Sequence, residues 1–353
     1  MEIRENLPLA PFTTLDVGGP ARFFVEAVNT AEVREALDFA RSRDLPLFVL
    51  GGGSNLLISD AGWPGLVLKM AISGINHRHG RGTAYFDVAA GEVWDDFVAI
   101  SVQHNCSGIE CLSGIPGSVG GTPVQNVGAY GQEVAETIFA LVAIDLETGK
   151  DEEFEKGDCR FAYRSSIFNT TYKGRYLITN VTYALVHDGE PQIRYADLQK
   201  YFAASTGSRK DGTPTLAEVR AAVRKIRASK AMLITPGDED SRSAGSFFKN
   251  PMLSTAEFDA LKERAAGRGL KIPSYPALEA LRKISAAWLV EHSGFLKGYT
   301  KGRVGISSKH ALAIVNRGGA SAAEVVALTD EIQRRVEGEW GVRLEIEPVM
   351  VGF

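Results

Sequence analysis

Cysteine is scarce: Cys106, Cys111 and Cys159 are the only three in 353 residues. An odd number cannot all pair within one chain, and their spacing matches no zinc ligand set. A disulfide scaffold is excluded, and a reducing compartment fits best. Each cysteine reads as a small buried apolar residue. Long apolar runs are missing as well, since none approaches the ~20 residues of a membrane span. The opening MEIRENLPLAPF has no basic stretch leading into an apolar one, so no secretory signal is expected there. Excess positive charge is also absent. The formal net charge is −4, which argues against a nucleic-acid surface but not against a local basic pocket for one small anion. The six histidines show no metal spacing, so no metal site is expected.

What is present is an ordinary globular balance, with 44% hydrophobic and 23% charged residues. The length predicts two or three domains. Residues 31–43 predict a helix with Val33, Leu37 and Ala40 on one face. PLFVL (46–50), LVLK (66–69) and YFDVAA (85–90) predict strands, 93–104 a second helix, and 138–187 further strands. Three later helices carry capping boxes: Thr215 with Glu218, Ser254 with Glu257, and Ser321 with Glu324. The polar segment 205–214 is an expected domain boundary. No internal repeat is visible.

Two glycine-rich stretches carry the chemistry. Gly51-Gly52-Gly53-Ser54-Asn55 follows a predicted strand. Glycines there let the backbone approach a ligand, and successive N–H groups can form a nest for a pyrophosphate. No G-x-G-x-x-G opens a βαβ unit and no Lys-Ser or Lys-Thr follows, so neither a Rossmann site nor a Walker loop is indicated. The second stretch, residues 106–131, is rich in Gly, Ser and Pro yet nearly uncharged. It reads as a buried loop facing a ligand rather than a solvated linker. Two neutral glycine loops fit one long ligand such as a dinucleotide.

TTLDVGGPARFF, LGGGSNLLISD, GIPGSVGGTPVQNVGAYG, FAYRSSIF, AGSFFKNP and a closing LEIEPV occur in that order. Together they resemble the UDP-N-acetylenolpyruvoylglucosamine reductase (MurB) family from about Pro11 to Gly352. The resemblance implies an α+β architecture: a two-part FAD-binding domain of the vanillyl-alcohol-oxidase type, then a C-terminal α+β substrate domain. The expected divisions are 1–70, 71–212 and 213–343, with 344–353 returning to the first part. It further implies dissociable FAD, reduction by NADPH, and hydride transfer to the enolpyruvyl ether of UDP-N-acetylglucosamine enolpyruvate in cell-wall precursor synthesis. A cytoplasmic enzyme with no obligate protein partner is expected. The rival within the same fold is an oxidase or dehydrogenase of hydroxy acids or sugars. Such enzymes often tether the flavin through His or Cys, and no His lies in the glycine loops.

By the resemblance, Gly51, Gly52, Gly53, Ser54 and Asn55 bind the cofactor, with Gly114, Pro116, Gly117, Ser118, Gly120, Gly121, Asn126, Ala129 and Tyr130 from the second loop. Ser246 matches the proton donor. Arg164 matches an arginine beside the enolpyruvyl group, where fixed positive charge suits a developing enolate. Glu347 matches the closing glutamate, and Glu345, two residues earlier on the same face, is its alternative. Glu347-Pro348-Val349 departs from the family's common Glu-Val-Arg, so any role of that arginine is missing or supplied elsewhere. Lys230, after the basic stretch VRKIRASK, matches a lysine near the substrate diphosphate. Asn250 and His310 are expected at the nucleotide and substrate. IRYADLQKYF (193–202) resembles an extra substrate-covering loop, with Tyr195 as its tyrosine.

Overall fold

The computed structural model describes residues 1–204, 212–276 and 281–353. Most of the boundary segment expected at 205–214 therefore lies outside the described residues. The chain forms two compact units that do not follow its order. The first comprises Met1–Leu7, Ala21–Gly53 and Pro64–Leu233, the second Pro8–Pro20, Ser54–Trp63 and Ile234–Phe353.

Among the described residues, the first unit holds a four-stranded and a six-stranded sheet, with a two-stranded ribbon, Gly128–Ala129 against Gln132–Glu133, besides. Its four-stranded sheet runs Arg4–Pro8, Pro20–Ala27, Trp63–Met70, Leu47–Leu50, the last two parallel. Helix α1 (Thr30–Ser42) starts where the Asn29 side chain accepts from the Glu32 N–H. It buries Val33, Ala36, Leu37 and Ala40 against Val25, Leu66 and Leu68. The antiparallel sheet runs Asp151–Glu155, Ile138–Asp145, Tyr176–His187, Thr83–Ala89, Ile75–His79, with Cys106–Ser107 beside the end of Tyr176–His187. Alternate residues of its central strands face one core, so Val181, Tyr183 and Leu185 pack with Phe86 and Val88. Helix α2 (Trp94–Gln103) covers that face with Trp94, Phe97 and Val98. Helix α3 (Ala196–Ala203) and helix α4 (Leu216–Ser229) share a smaller core, Leu198 against Val219, Ala222 and Val223.

The second unit is built on helices α5 (Thr255–Ala266), α6 (Ala286–Glu291) and α7 (Ala322–Trp340) with two three-stranded sheets. Trp288, Leu289, Leu328, Ile332, Val336 and Trp340 meet Leu15, Val17 and Leu57 in one core. All three predicted capping boxes form, at Thr215, Ser254 and Ser321. Asp60 adds a second cap to α7, accepting from the Ala322 and Ala323 N–H groups at 2.7 and 2.9 Å. Gly341 ends α7 in the left-handed conformation, φ 70°. Val349–Val351 lies parallel to Leu56–Ile58. Among the described residues no helix is long and apolar enough to cross a membrane.

Candidate active site

In the first unit the two glycine loops meet backbone to backbone. A Cβ on Gly52 would overlap the Gly117 backbone, and one on Gly51 would stand 2.8 Å from Ser118 Oγ. Gly53, Gly114 and Gly117 have φ of 66°, 71° and 132°, a region L side chains rarely adopt. Lys69 donates to the Gly51 carbonyl at 2.7 Å. Burial lowers the Lys69 ammonium, which Glu26 partly opposes. The Gly52 and Gly53 N–H groups have no acceptor among the described residues. Gly121 is exposed, and a Cβ there would meet nothing closer than Ser118 Oγ at 3.9 Å. Neither backbone strain nor packing requires that glycine. Successive N–H groups at Gly52 and Gly53, on a backbone that side chains would crowd, are of the kind that can receive an anionic group such as a pyrophosphate.

Not every glycine or amide in these loops faces outward. Gly120 admits Ala90, whose Cβ a side chain would overlap. Asn126 is buried. Its amide donates to Glu133 Oε2 at 2.8 Å and the Ala162 carbonyl at 3.0 Å, and accepts from the Ala135 N–H at 3.1 Å. It therefore shapes the loop from within. Pro116, Ala129 and Tyr130 are half-buried. Burial pushes the Tyr130 phenol upward, while Arg227 and Lys230 pull against that.

Gly114 is gripped from both sides. Its N–H donates to Asp95 Oδ1 at 2.6 Å, and its carbonyl accepts from Arg227 Nε at 3.1 Å. Asp95 also accepts from Arg220 at 2.5 Å and from Arg224. Burial works to raise the Asp95 carboxyl, but Arg220 and the Gly114 N–H outweigh it and hold it below its ordinary value. Sequence reasoning missed this clamp. Its signal is an Arg-rich helix face, positions 220, 224 and 227, three and four residues apart.

Arg164 takes a left-handed φ of 54° in the turn between Ala162 and Ser165. Its guanidinium donates to the Gly128 carbonyl at 2.7 Å and lies over the Tyr163 ring. Tyr195 is the N-cap residue of α3, 44% exposed, with its ring edge-on to Tyr130 at 5.4 Å. The expected covering loop is thus largely helical from Ala196. Lys230 caps the C-terminus of α4 and pairs with Asp197 Oδ2 at 2.6 Å. Burial works to lower the Lys230 ammonium, but Asp197 together with Tyr130 and Tyr195 outweighs it and raises it.

The second unit gathers the remaining candidates around Phe247. Its N–H donates to the Leu312 carbonyl at 2.8 Å, and its carbonyl accepts from the Glu347 N–H at 3.0 Å. Ser246, one residue earlier, therefore sits beside both partner segments, with Oγ 3.5 Å from His310 Nε2. Gly245 precedes it at φ 75°, with open space where a Cβ would be. Glu347 is half-buried, whereas Glu345 is exposed and pairs with Lys249 at 2.6 Å. Asn55 binds the same closing segment: its amide donates to the Glu347 carbonyl at 3.4 Å, and its carbonyl accepts from the Val349 N–H at 2.9 Å. Thr14, which sequence reasoning passed over, donates to the Ser54 and Ser243 carbonyls at 3.3 and 2.6 Å. Asn250 accepts from the Ala286 N–H at 3.0 Å, at the start of α6. Among the described residues no group of His, Cys, Asp and Glu could hold a metal. The three cysteines are free and buried, and burial pushes the Cys106 thiol up to about 11 and Cys159 to about 12.

Residues 21–152 match the family described as "FAD binding domain", and residues 236–351 match "UDP-N-acetylenolpyruvoylglucosamine reductase, C-terminal domain". The chain is 44% identical to the UDP-N-acetylenolpyruvoylglucosamine reductase of Thermobifida fusca, covering 98% of this chain and 97% of that protein. It is 43% identical to the one of Streptomyces coelicolor, over 98% and 90%. Among solved structures, the MurB of Thermus caldophilus superposes with a TM-score of 0.64 at 25% identity, over 99% of this chain and 98% of that one.

Proposed function

The chain belongs to the UDP-N-acetylenolpyruvoylglucosamine reductase family, and from that premise we propose which of its residues do the work. The activity is reduction of UDP-N-acetylglucosamine enolpyruvate to UDP-N-acetylmuramate in peptidoglycan synthesis, on an FAD-binding domain of the vanillyl-alcohol-oxidase type. FAD held by the two glycine loops would supply the hydride chemistry, from NADPH to the enol ether. The protein's share is to hold the dinucleotide, orient the enolpyruvyl group, and deliver a proton to the carbon next to the one that receives the hydride.

Ser246 delivers that proton. The reading is supported by one observation above the rest: Phe247 is hydrogen-bonded to both the Leu312 and the Glu347 segments, which fixes Ser246 next to His310 and the closing glutamate. Arg164 and Glu347 stabilise the developing negative charge and its protonation. Glu347 is preferred to Glu345, whose carboxylate is exposed and already paired with Lys249. Lys230 meets the substrate diphosphate, Tyr195 covers the sugar nucleotide, and Asn250 and His310 contact substrate. Gly51 to Asn55 and the second loop, Gly114 to Tyr130, cradle FAD without a covalent tether. The functional divisions are 1–70, 71–212 and 213–343, with 344–353 serving the first. The enzyme works in the cytoplasm with no obligate partner and no nucleic acid.

One spectrum tests the whole reading. The purified protein should carry flavin absorbance that NADPH bleaches anaerobically and the enolpyruvyl sugar nucleotide restores. Denaturation should release the flavin into the supernatant. A colourless protein that takes up no FAD, or reduced flavin that the sugar nucleotide leaves unchanged, would end it.

A further inference from the structure

The cation assigned to the substrate diphosphate is already engaged. Lys230 Nζ lies 2.6 Å from Asp197 Oδ2, and both side chains are about one-third exposed (39% and 34%). Asp197 stands in the first turn of α3, directly after the N-cap residue Tyr195 and the helix's first residue, Ala196. The helix itself is seated on α4 through Leu198, which packs with Val219, Ala222 and Val223, and Tyr201 and Phe202 extend that contact. An apolar core therefore holds α3 in place whether or not the ion pair at its rim is made.

We propose that Asp197 is an affinity-setting residue: its carboxylate occupies the Lys230 ammonium in the free enzyme, and a bound diphosphate must displace it. The inference rests on Lys230 being the diphosphate's partner. A partly exposed lysine–carboxylate pair at a helix rim contributes modestly to stability, so it can open. It nevertheless neutralises the local charge, and any anion must outbid it. A single carboxylate or chloride offers no more than Asp197 already does. A diphosphate offers more charge and several acceptor oxygens, and the ammonium has three donors to meet them. Asp197 thus sets a threshold that a diphosphate passes and a monoanion does not. Tyr195 shares the start of α3, so displacement at Asp197 acts on the element that carries the covering tyrosine.

Asp197→Asn keeps the side chain's shape and removes its charge. With NADPH saturating, KM for the enolpyruvyl sugar nucleotide should fall about two- to fivefold, the range a partly exposed pair is worth, with the change confined to KM and not kcat. The Kd of the oxidised enzyme for the same ligand, read from perturbation of the flavin band, should fall in parallel. Acetate should become a competitive inhibitor of the variant at concentrations that leave the native enzyme untouched. Asp197→Glu should restore native behaviour. A KM that is unchanged or raised in Asp197→Asn would overturn the proposal, because a carboxylate that merely orients Lys230 predicts a rise. Lys230→Ala separates the two layers. If it raises KM while Asp197→Asn does not lower it, only the competition fails. If Lys230→Ala leaves KM at the native value, the reading of Lys230 falls, and this inference with it.

Discussion

A serine hydroxyl is a weak acid, so a proton donor of this type depends on where it is held. Ser246 is held by its neighbour, since Phe247 is fastened on both sides, and by His310 at 3.5 Å. Hydride and proton delivery are separable steps, and Ser246→Ala should separate them. Flavin reduction by NADPH should stay fast, since no proton reaches substrate in that half-reaction. Reoxidation by the enolpyruvyl substrate should slow about 10²-fold, the contribution of a positioned general acid. Ser246→Cys should fall between. Stopped-flow traces of the two half-reactions decide it, and native reoxidation in the alanine variant would end the assignment. Single residues were unevenly legible in the sequence. The glycines of both loops stood out, but the reason for Gly52 did not: it admits the Gly117 backbone, a neighbour 65 positions away in the chain. The Asn126 side-chain amide is bonded to Glu133, Ala162 and Ala135, so any contact it makes with the cofactor runs through its backbone.

At the scale of elements, the first turn of α2, the α4 face and the second glycine loop converge on Asp95. Asp95→Asn keeps the volume and removes the charge that Arg220 and Arg224 share. Urea unfolding should show a loss of about 1–3 kcal/mol, the cost of breaking charge-assisted bonds to a largely buried group. FAD should reconstitute with weaker affinity, because the Gly114 N–H is left with a neutral amide oxygen that Arg220 and Arg224 no longer hold in place. A variant with native midpoint and native FAD affinity would remove Asp95 from loop positioning. Helices were the most legible elements. The capping boxes at Thr215, Ser254 and Ser321 sit inside local sequence, so local rules suffice. What was not legible in the second unit is its joining of early and late segments: Asp60 caps α7 from 262 residues away and Thr14 joins Ser54 to Ser243. No local pattern encodes such partners.

For the molecule as a whole, the perturbed carboxyls agree in direction. The Arg175 guanidinium holds Asp145 down at about 2, and the Ser321 N–H with Arg303 holds Glu324 at about 2. Lys309 lowers Asp238, and Ser254 lowers Glu257. A carboxyl depressed in the folded state contributes stability that is complete above its unfolded value near 4 and lost as pH falls through the folded one. Thermal unfolding followed by circular dichroism should therefore show a melting temperature that drops steadily from about pH 4 toward 2. A melting temperature that rises over that interval would contradict the sign. Finally, the parallel pairing of Val349–Val351 with Leu56–Ile58 sets a timetable for synthesis. The ribosome releases Leu15, Val17 and Leu57 early, but the core that buries them is made mostly of residues beyond 246. At the usual pace of ~5–20 residues per second, these apolar residues wait on the order of 15–60 s for their last partner strand. During that interval the nascent chain offers a holdase a defined target, centred on the apolar stretch Leu56-Leu57-Ile58, of which the finished enzyme has buried Leu57 and Ile58.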